Sequence, residues 1–216
     1  MSKRFIIAVI MVFCAGMTSS YAFESGTVMV VSFSGDVKIF PKGIKEFVAC
    51  EEGLIVKQGA RIMTGRDSYV KIAFDENKLN VAKVKEETEV VVMLKEKNKI
   101  ELIDGAVFTM LKGVVKGKKF QIKTPSATCG ARGTGWNTMA DRKVTRIEVI
   151  ENKVFVRGVN KDGTFMEEEF EIDEGFERVV ERFKEPGVME RISDDRLDEI
   201  RVEKNEIEKL IRERKN

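Results

Sequence analysis

The 216-residue sequence contains no histidine and has only three cysteines, three prolines and one tryptophan. Without histidine there is no imidazole general base, no Ser-His or Cys-His nucleophile pair and no His-ligated metal. The cysteines form no Cys-x-x-Cys motif, which argues against a redox enzyme. Only carboxylate, Lys, Tyr or Cys chemistry would then be open to an enzyme, and no motif in the sequence supports such chemistry well. We therefore predict a protein that is not an enzyme, has no catalytic residues and holds neither a cofactor nor a metal ion.

The first 22 residues have the pattern of a secretory signal peptide. Two basic residues precede an uncharged apolar run from Phe5 to Met17, and Ser20 and Ala22 supply the small residues before a cleavage site. The run is shorter than the roughly 20 residues that a transmembrane helix needs. We expect a periplasmic or secreted mature chain that begins at Phe23 and has no integral membrane span after cleavage. The alternative is a protein anchored to the inner membrane by an uncleaved signal.

The mature chain is predicted to have no net charge. The full sequence carries 38 Lys and Arg against 36 Asp and Glu, and cleavage after residue 22 removes two positive charges and no negative ones. A nucleic-acid-binding protein needs a basic face, and export would separate this chain from nucleic acid. We therefore predict no nucleic-acid partner.

Short stretches of alternating apolar and polar residues dominate the sequence between residues 26 and 183. Such alternation, broken by turn sequences such as Ser34-Gly35-Asp36 and Asp104-Gly105, is typical of β-strands joined by tight turns. The sequence predicts an all-β domain of many short strands over residues 23–187, built as a sandwich, a jelly roll or a β-solenoid-like stack.

The pattern changes at Pro186-Gly187, and residues 188–216 are predicted to form a charged C-terminal α-helical tail. Ser193 is placed to cap a helix with acidic residues in its first turn and basic residues in its last. Four apolar residues of this helix form a stripe at a and d heptad positions: Leu197, Ile200, Ile207 and Ile211. Lys204 occupies one a position, and Leu210 lies beside the stripe. The stripe leaves two alternatives open, packing on the β domain and self-association through residues 193–214.

Two cysteines, Cys50 and Cys129, remain after signal cleavage in a compartment that permits disulfides. A bond between them would close a loop of about 80 residues and add on the order of 4 kcal/mol in the chain-entropy model. The alternative is two separate buried thiols, and the sequence alone does not decide between the two.

One segment is unusual because an arginine, Arg132, lies close to glycines on both sides, Gly130 and Gly133. A strand is predicted to end at Thr124, and Pro125 then removes a hydrogen-bond donor from the ladder. The permissive backbone allows the guanidinium of Arg132 to point inward and hold carboxylates or backbone carbonyls of the protein. The functional alternative is that Arg132 grips a carboxylate or phosphate of a ligand.

Five stretches resemble, in the same order, the motifs of the FecR domain, a family named for the ferric-citrate regulator. They are residues 34–37, 53–65, 68–75, 102–107 and 120–134, and the last is similar to the family's Phe-x-x-x-Thr-Pro and Arg-Gly-Thr signature. The resemblance extends over about residues 26–187. The residues that it assigns to the family motif, in a structural or a contact role, are Gly59, Thr64, Gly65, Ser68, Gly105, Thr124, Pro125, Arg132, Gly133 and Thr134.

The resemblance implies an all-β extracytoplasmic domain without catalytic activity, used for signal transduction or protein contact at the bacterial cell envelope. In the regulators of the family, this domain receives a signal from an outer-membrane transporter and passes it to a cytoplasmic segment that binds a sigma factor. This sequence departs from that plan, with an export signal before the β domain and a charged helix after it, so direct control of a sigma factor is not expected.

We therefore expect a protein-interaction or signal-sensing module of the cell envelope. Its partners would be one or more envelope proteins, whose identity the sequence does not indicate. The alternative is a module that binds a cell-wall glycan or a small anionic ligand, with Arg132 as the gripping residue.

Overall fold

The structure is a computed structural model that describes residues 26–95, 98–113, 120–131 and 133–213. The predicted signal peptide, residues 1–22, lies outside these ranges. The strands are β1 (Thr27–Ser34), β2 (Val37–Phe40), β3 (Val48–Ala49), β4 (Ile55–Lys57), β5 (Arg61–Thr64), β6 (Tyr69–Ala73), β7 (Asn80–Val84), β8 (Glu89–Lys95), β9 (Asn98–Leu111), β10 (Phe120–Lys123), β11 (Ala127–Ala131), β12 (Gly135–Ala140), β13 (Val144–Glu151), β14 (Lys153–Gly158), β15 (Phe170–Asp173), β16 (Phe176–Glu181) and β17 (Glu190–Arg191), and the helix is α1 (Asp194–Arg212). The prediction of an all-β domain with a C-terminal helix is confirmed.

The strands form two layers that share the long strand β9. Sheet A has the order β4-β1-β6-β7-β9-β12-β13-β16-β17, and sheet B has the order β3-β2-β5-β8-β9-β10-β11-β14-β15. The first half of β9 pairs with β8 and β10, and its second half pairs with β7 and β12. Hydrogen bonding is therefore continuous through all the strands.

Strand β9 changes layers near Gly105. Before this point Ile100 and Leu102 belong to the core between the sheets, and after it the core positions are Val107 and Leu111. The inward positions thus change from even to odd residue numbers, and the pairing of β9 with β8 shifts register in the same region. Gly105 has a φ of +97°, and an added Cβ would lie 2.3 Å from the Thr88 hydroxyl oxygen. Only glycine fits this position.

Side chains from both sheets form one hydrophobic core. Trp136 of sheet A is fully buried, and its ring meets Phe120 of sheet B edge to face, with the ring centroids 6.0 Å apart. Phe120 makes a second edge-to-face contact with Phe74, which follows β6, at 4.8 Å. Burial of one such ring contributes about 2 kcal/mol or more, so these contacts help hold the two layers together.

The apolar stripe of helix α1 packs against the outer face of sheet A. Its four stripe residues are at most 9% exposed and lie in one cluster with Phe108, Met110 and Ile150 of the sheet. Of the two predicted alternatives, the structure shows packing on the β domain, which occupies the surface predicted for self-association through residues 193–214. Ser193 stands at the N-cap position, but its side chain makes no capping hydrogen bond, so the capping prediction was wrong.

The predicted tail belongs to the same folded body as the β domain. Strand β17 lies beyond the predicted boundary at residue 187 and pairs with Phe176 and Glu177 of β16. Ile192, which follows it, packs into the cluster beneath α1. Within the described ranges, no helix combines the length and the apolar character that a membrane crossing requires.

A buried ion pair holds the start of α1 on the sheet. The Glu148 carboxylate of β13 is 2% exposed, accepts hydrogen bonds from Arg196 at 2.8 and 2.9 Å, and accepts another from Asn137 at 2.8 Å. The hydrogen bonds to Glu148 raise the pKa of the Arg196 guanidinium, against the opposing effect of burial. Loss of one partner from such a pair leaves a buried charge without compensation.

Lysines of sheet A pair with glutamates along the rest of the helix. The pairs are Lys71–Glu206 at 3.5 Å, Lys83–Glu206 at 3.1 Å, Lys85–Glu203 at 2.7 Å and Lys112–Glu208 at 3.3 Å. Burial raises the pKa of the Glu206 carboxyl, but the hydrogen bond from Lys83 and the charges of Lys83 and Lys71 outweigh it, so the pKa lies below its usual value. Lys112 and Arg212 likewise lower the pKa of Glu208 against the effect of burial.

Replacement of Gly105 by alanine is expected to lower the free energy of unfolding by about 3 kcal/mol or more, because a clash with Thr88 adds to the strain of a positive φ. Chemical denaturation measures the change. Gly163→Ala is the matched control, because Gly163 has a φ of +84° but nothing lies within 4 Å of an added Cβ. It should cost only the backbone strain of about 1 kcal/mol. Equal losses would contradict the role given to close approach at Gly105.

The substitution Arg196→Met should lower the free energy of unfolding by about 3 kcal/mol, because Glu148 stays buried without its partner. Arg201→Met is the control, since Arg201 pairs with Asp198 on the exposed side of the helix and such a pair contributes less than about 1 kcal/mol. Adding Glu148→Gln to Arg196→Met should recover part of the loss, as measured by denaturation. A double variant no more stable than Arg196→Met would rule out the buried charge as the cause.

Acid is expected to weaken the docking of α1. The folded-state pKa values of Glu206 and Glu208 are lowered, so their stabilising effect is present above the ordinary glutamate pKa of 4.5 and is lost as the pH falls through the lower folded values. Melting temperatures at pH 6 and pH 3.5 should therefore differ more for the wild type than for Glu206→Gln. An identical pH dependence in the two proteins would refute this assignment.

Candidate interaction surface

Most of the described motif residues lie where the chain crosses between the layers, whereas Thr124 and Pro125 lie in the turn that joins β10 to β11 within sheet B. We call the two groups of motif residues the first and second corner rows. The first corner row contains Thr64, Gly65, Ser68, Gly105, Thr124 and Pro125, and the second contains Gly59, Gly133 and Thr134. Arg132 lies outside the described residues, so both of its predicted roles stay predictions.

Hydroxyl groups close the turns of the first corner row. Ser68 accepts a hydrogen bond from the backbone N–H of Asp36 at 2.9 Å, and the N–H of Gly65 donates to the Asp36 carbonyl at 2.8 Å. The hydroxyl oxygen of Thr64 accepts from the backbone N–H of Thr88 at 3.0 Å. Each bond joins segments that are distant in sequence, so these motif residues stabilise the crossings between the layers.

A buried hydroxyl cluster ties the Thr124-Pro125 turn of sheet B to sheet A. The Thr124 hydroxyl lies 2.6 Å from that of Thr145 on β13, and the Ser126 hydroxyl lies 2.6 Å from the same oxygen. The backbone N–H of Ala127 also donates to Thr124, at 2.9 Å. These groups satisfy one another inside the protein, which indicates a structural role.

The second corner row is held by hydrogen bonds to backbone carbonyls, donated by one backbone N–H and two side chains. Gly59 has a φ of +85°, and its N–H donates to the carbonyl of Val92 at 2.7 Å. The Thr134 hydroxyl donates to the carbonyl of Glu151. The Asn152 side chain donates to the Gly133 carbonyl at 2.7 Å. The described motif residues therefore build the turns of the fold. The polar groups named here are hydrogen-bonded to other groups of the protein.

Cys50 and Cys129 are both free in the structure and both buried. Burial raises the pKa of each thiol to about 11, with the charge of Glu51 adding to the effect at Cys50. The Cys129 sulfur lies 3.4 Å from the hydroxyl of Thr138 on the opposite sheet. The structure thus shows the alternative of two separate thiols, and the reactive thiolate form is suppressed at neutral pH.

Gly133, which follows Arg132 in the sequence, lines an open cavity of about 670 Å³ together with Asn152, Lys153, Phe155, Asp173 and Glu174. Lys153 pairs with Asp173 at 3.1 Å and with Glu171 at 2.8 Å, so its charge is compensated. The described lining is therefore net negative, which does not favour an anionic ligand. Elsewhere in the described residues, no group of three or more Cys, Asp and Glu side chains is arranged to hold a metal ion.

Exposed apolar side chains concentrate at the two lateral edges of the sandwich, where the hydrogen-bonded ladders end. Strands β3 and β4 form one edge, and β15 and β17 form the other. The large exposed hydrophobic residues of the described chain are Ile44 (54%), Phe47 (55%) and Val48 (41%) at the first edge, Phe183 (38%) and Val188 (74%) at the second, and Val202 (59%) on α1.

We call Ile44, Phe47 and Val48 the hairpin patch, because they belong to the hairpin of β2 and β3. The Phe47 ring packs edge to face on Phe40 with the centroids 6.0 Å apart. The Arg61 guanidinium lies 4.8 Å from the centre of the Phe40 ring, and the Lys38 ammonium 5.9 Å from that of Phe47. These contacts hold an apolar surface that is bordered by two cationic side chains. Exposed apolar patches with a polar rim are common where one protein contacts another.

The motif comparison did not single out the hairpin patch. One sequence signal was available, since the loop Pro41-Lys-Gly-Ile-Lys-Glu-Phe47 places two large apolar residues among charged ones outside the strand alternation. Their exposure depends on β3 being an edge strand, which requires the order of strands in the sheet.

Comparisons with known proteins agree with the motif resemblance. Residues 60–155 match the model of the family described as FecR protein. Two crystal structures of a "putative anti-sigma factor" from Parabacteroides distasonis share the fold, each with a TM-score of 0.51 and 14% sequence identity over 64% of this chain. The match spans only 62% of that protein, and at this identity it concerns the fold alone. No curated protein matches the chain in sequence.

The family match and the sequence motifs coincide. All the motif residues except Gly59 fall inside the matched range. The motif residues that the structure describes form the two corner rows. Residues 60–155 therefore match the FecR family, and the sequence motifs extend this resemblance on the N-terminal side of the match.

Proposed function

We propose that this protein is a non-enzymatic, extracytoplasmic FecR-domain module that senses or transmits a signal at the bacterial cell envelope by binding another protein through the hairpin patch. The match to the FecR family supports a regulatory role. The signal-peptide pattern of residues 1–22 supports export.

The observation that carries the proposal is the exposure of Phe47 and its neighbours on a hairpin held in place by Phe40 and two cations. A ring that is 55% exposed gains from burial by a partner. Because its contacts with Phe40 and Lys38 already position it, little side-chain entropy remains to be lost on binding. Aromatic anchors of this kind dominate the binding energy of protein interfaces.

The two broad faces of the sandwich are less suitable as binding surfaces. Helix α1 covers the outer face of sheet A through apolar and ionic contacts. The outer face of sheet B carries charged pairs. Arg61–Glu89 and Lys123–Glu101 join neighbouring strands, and Arg157 of β14 pairs with Glu169, which precedes β15. Such surface pairs are well solvated, so burying them under a partner would contribute little to the binding free energy. The lateral edges therefore remain as the apolar contact surfaces.

Binding of a cell-wall glycan or a small anion through Arg132 is the weaker proposal. The cavity beside Gly133 is lined by Asp173 and Glu174, and its one lysine is already paired with acidic residues. A cation-lined concave surface would favour such a ligand, and the described lining has the opposite charge.

In-cell crosslinking of the tagged protein, read by mass spectrometry, tests the proposed contact. The wild type should trap a specific envelope protein, and Phe47→Ser should lower the recovery about tenfold or more, as expected for the loss of an aromatic anchor. Val202→Ser is the matched control, because Val202 is similarly exposed, at 59%, but lies on α1. Its recovery should equal that of the wild type.

Equal recovery of the partner with Phe47→Ser and with the wild type would exclude the hairpin patch as the contact. Fractionation of the same cells tests export separately, and retention of the full-length chain in the cytoplasm would contradict the extracytoplasmic assignment. Deletion of residues 188–216 is a poor probe, because it would uncover the apolar face of sheet A.

A further inference from the structure

The edge opposite the hairpin patch contains a concave site. A cavity of about 280 Å³, which we call the β16 cavity, lies between β16 and the segment that follows it. It is lined by Glu177, Arg178, Val179, Glu181, Lys184, Glu185, Gly187, Val188 and Glu190. Val188 is 74% exposed at this site, and Phe183 is nearby in sequence and 38% exposed. The cavity thus combines an exposed apolar surface with an acidic border.

Two of the acidic groups of the β16 cavity are uncompensated. Glu177 pairs with Arg146 at 2.5 Å, and Glu181 pairs with Lys184 at 2.6 Å. Within the described part of the chain, no ion pair involves Glu185 or Glu190. Arg178 also lines the cavity, and its guanidinium donates to the backbone carbonyls of Glu171 and Gly187 and forms no ion pair with a described residue. With the two unpaired glutamates against this one arginine, the cavity border keeps a net negative charge.

The hairpin shows the opposite arrangement. Lys38 pairs with Asp36 at 3.0 Å, and Arg61 pairs with Glu89 at 3.3 Å. In the same hairpin, Lys42 and Lys45 are exposed and form no ion pair with any described residue. Glu46 is the one acidic residue between Pro41 and Val48, and Arg182, beside Phe183, is a cation on the opposite edge that could face it. The signs of the exposed charges are therefore complementary between the two edges.

The backbone at both edges is also suited to a specific contact rather than to indiscriminate strand pairing. Strand β3 has two residues and pairs only with β2. On the opposite edge, β17 pairs only with Phe176 and Glu177 of β16. Further along β16, the N–H of Gly187 donates a hydrogen bond to the carbonyl of Val179. Short and partly covered edges discourage pairing through the backbone. A contact between them depends on side chains, which can be varied one at a time.

We propose that a second copy of this chain is a partner of the hairpin patch: Ile44 and Phe47 of one copy enter the β16 cavity of the next, with Lys42 and Lys45 facing Glu185 and Glu190. The proposal rests on the proposed function in that the hairpin patch is a protein contact. The two surfaces differ and lie on opposite edges, so the contact is heterologous. It builds open chains of copies and leaves a free hairpin patch at one end for an envelope protein.

Mixing of two variants of the mature chain tests this arrangement by sedimentation velocity. Phe47→Asp disables the hairpin patch and keeps the cavity, whereas the double variant Glu185→Lys with Glu190→Lys disables the cavity and keeps the hairpin patch. The wild type should form species larger than a dimer as its concentration rises, and each variant alone should be monomeric. An equimolar mixture of the two should form a 1:1 dimer that grows no further. Val202→Asp is the matched control and should assemble like the wild type.

A wild type that stays monomeric at all concentrations, or a mixture that stays monomeric, overturns the proposal. Both sets of substitutions are at exposed positions, and circular dichroism verifies that each variant is folded. If the wild type is monomeric while Phe47→Ser still loses the crosslinked envelope protein, self-association fails and the proposed function stands. If copies assemble but no envelope protein is trapped, the proposed function fails and the edge contact stands.

Discussion

The change of layers by β9 at Gly105 is the constraint on which the rest of the sandwich depends. One strand is hydrogen-bonded in both sheets, so the layers cannot shift relative to each other without breaking it. The crossing is fixed by Thr88, whose hydroxyl accepts the N–H of Ala106 at 2.9 Å and fills the space that a Cβ at Gly105 would need. Thr64 binds the backbone of Thr88 in turn. The described motif residues thus mark the turns and crossings of the two sheets, which explains why all of them except Pro125 are glycines or hydroxyl-bearing residues.

Once the two sheets are formed, their outer faces differ. Sheet A carries Phe108 and Met110 together with lysines, a combination that requires a cover, and α1 supplies both the apolar stripe and the glutamates. The buried pair of Glu148 with Arg196 makes this cover specific, because another helix would have to bring an arginine to the same position. With one face covered and the other carrying paired charges, the lateral edges hold most of the exposed apolar surface. The proposed contact follows from that distribution.

Much of the fold was predictable because period-two alternation marks many of the strands locally, although not β11, which is buried at every position, or the two-residue strands β3 and β17. Helix α1 begins and ends within two residues of the predicted 193–214. The ion pair of Glu148 with Arg196 was not predictable, because it joins residues 48 apart in sequence and depends on which face of the sheet the helix covers. The separate burial of Cys50 and Cys129 is likewise a tertiary property. The hairpin patch was missed for a different reason: the loop sequence shows apolar residues, but only the strand order shows that no neighbouring strand covers them. Arg132 was the most conspicuous residue of the sequence. Its described neighbours Gly133 and Thr134 form their hydrogen bonds with Asn152 and Glu151.

We propose that this chain contacts other proteins through the hairpin patch. A photo-crosslinking residue introduced in place of Phe47, activated in living cells and compared with the same residue in place of Val202, tests this claim most directly. We expect discrete adducts from position 47, with a second copy of the chain or with an envelope protein, and none of comparable yield from position 202. An absence of adducts from position 47, or equal adducts from both positions, would contradict it.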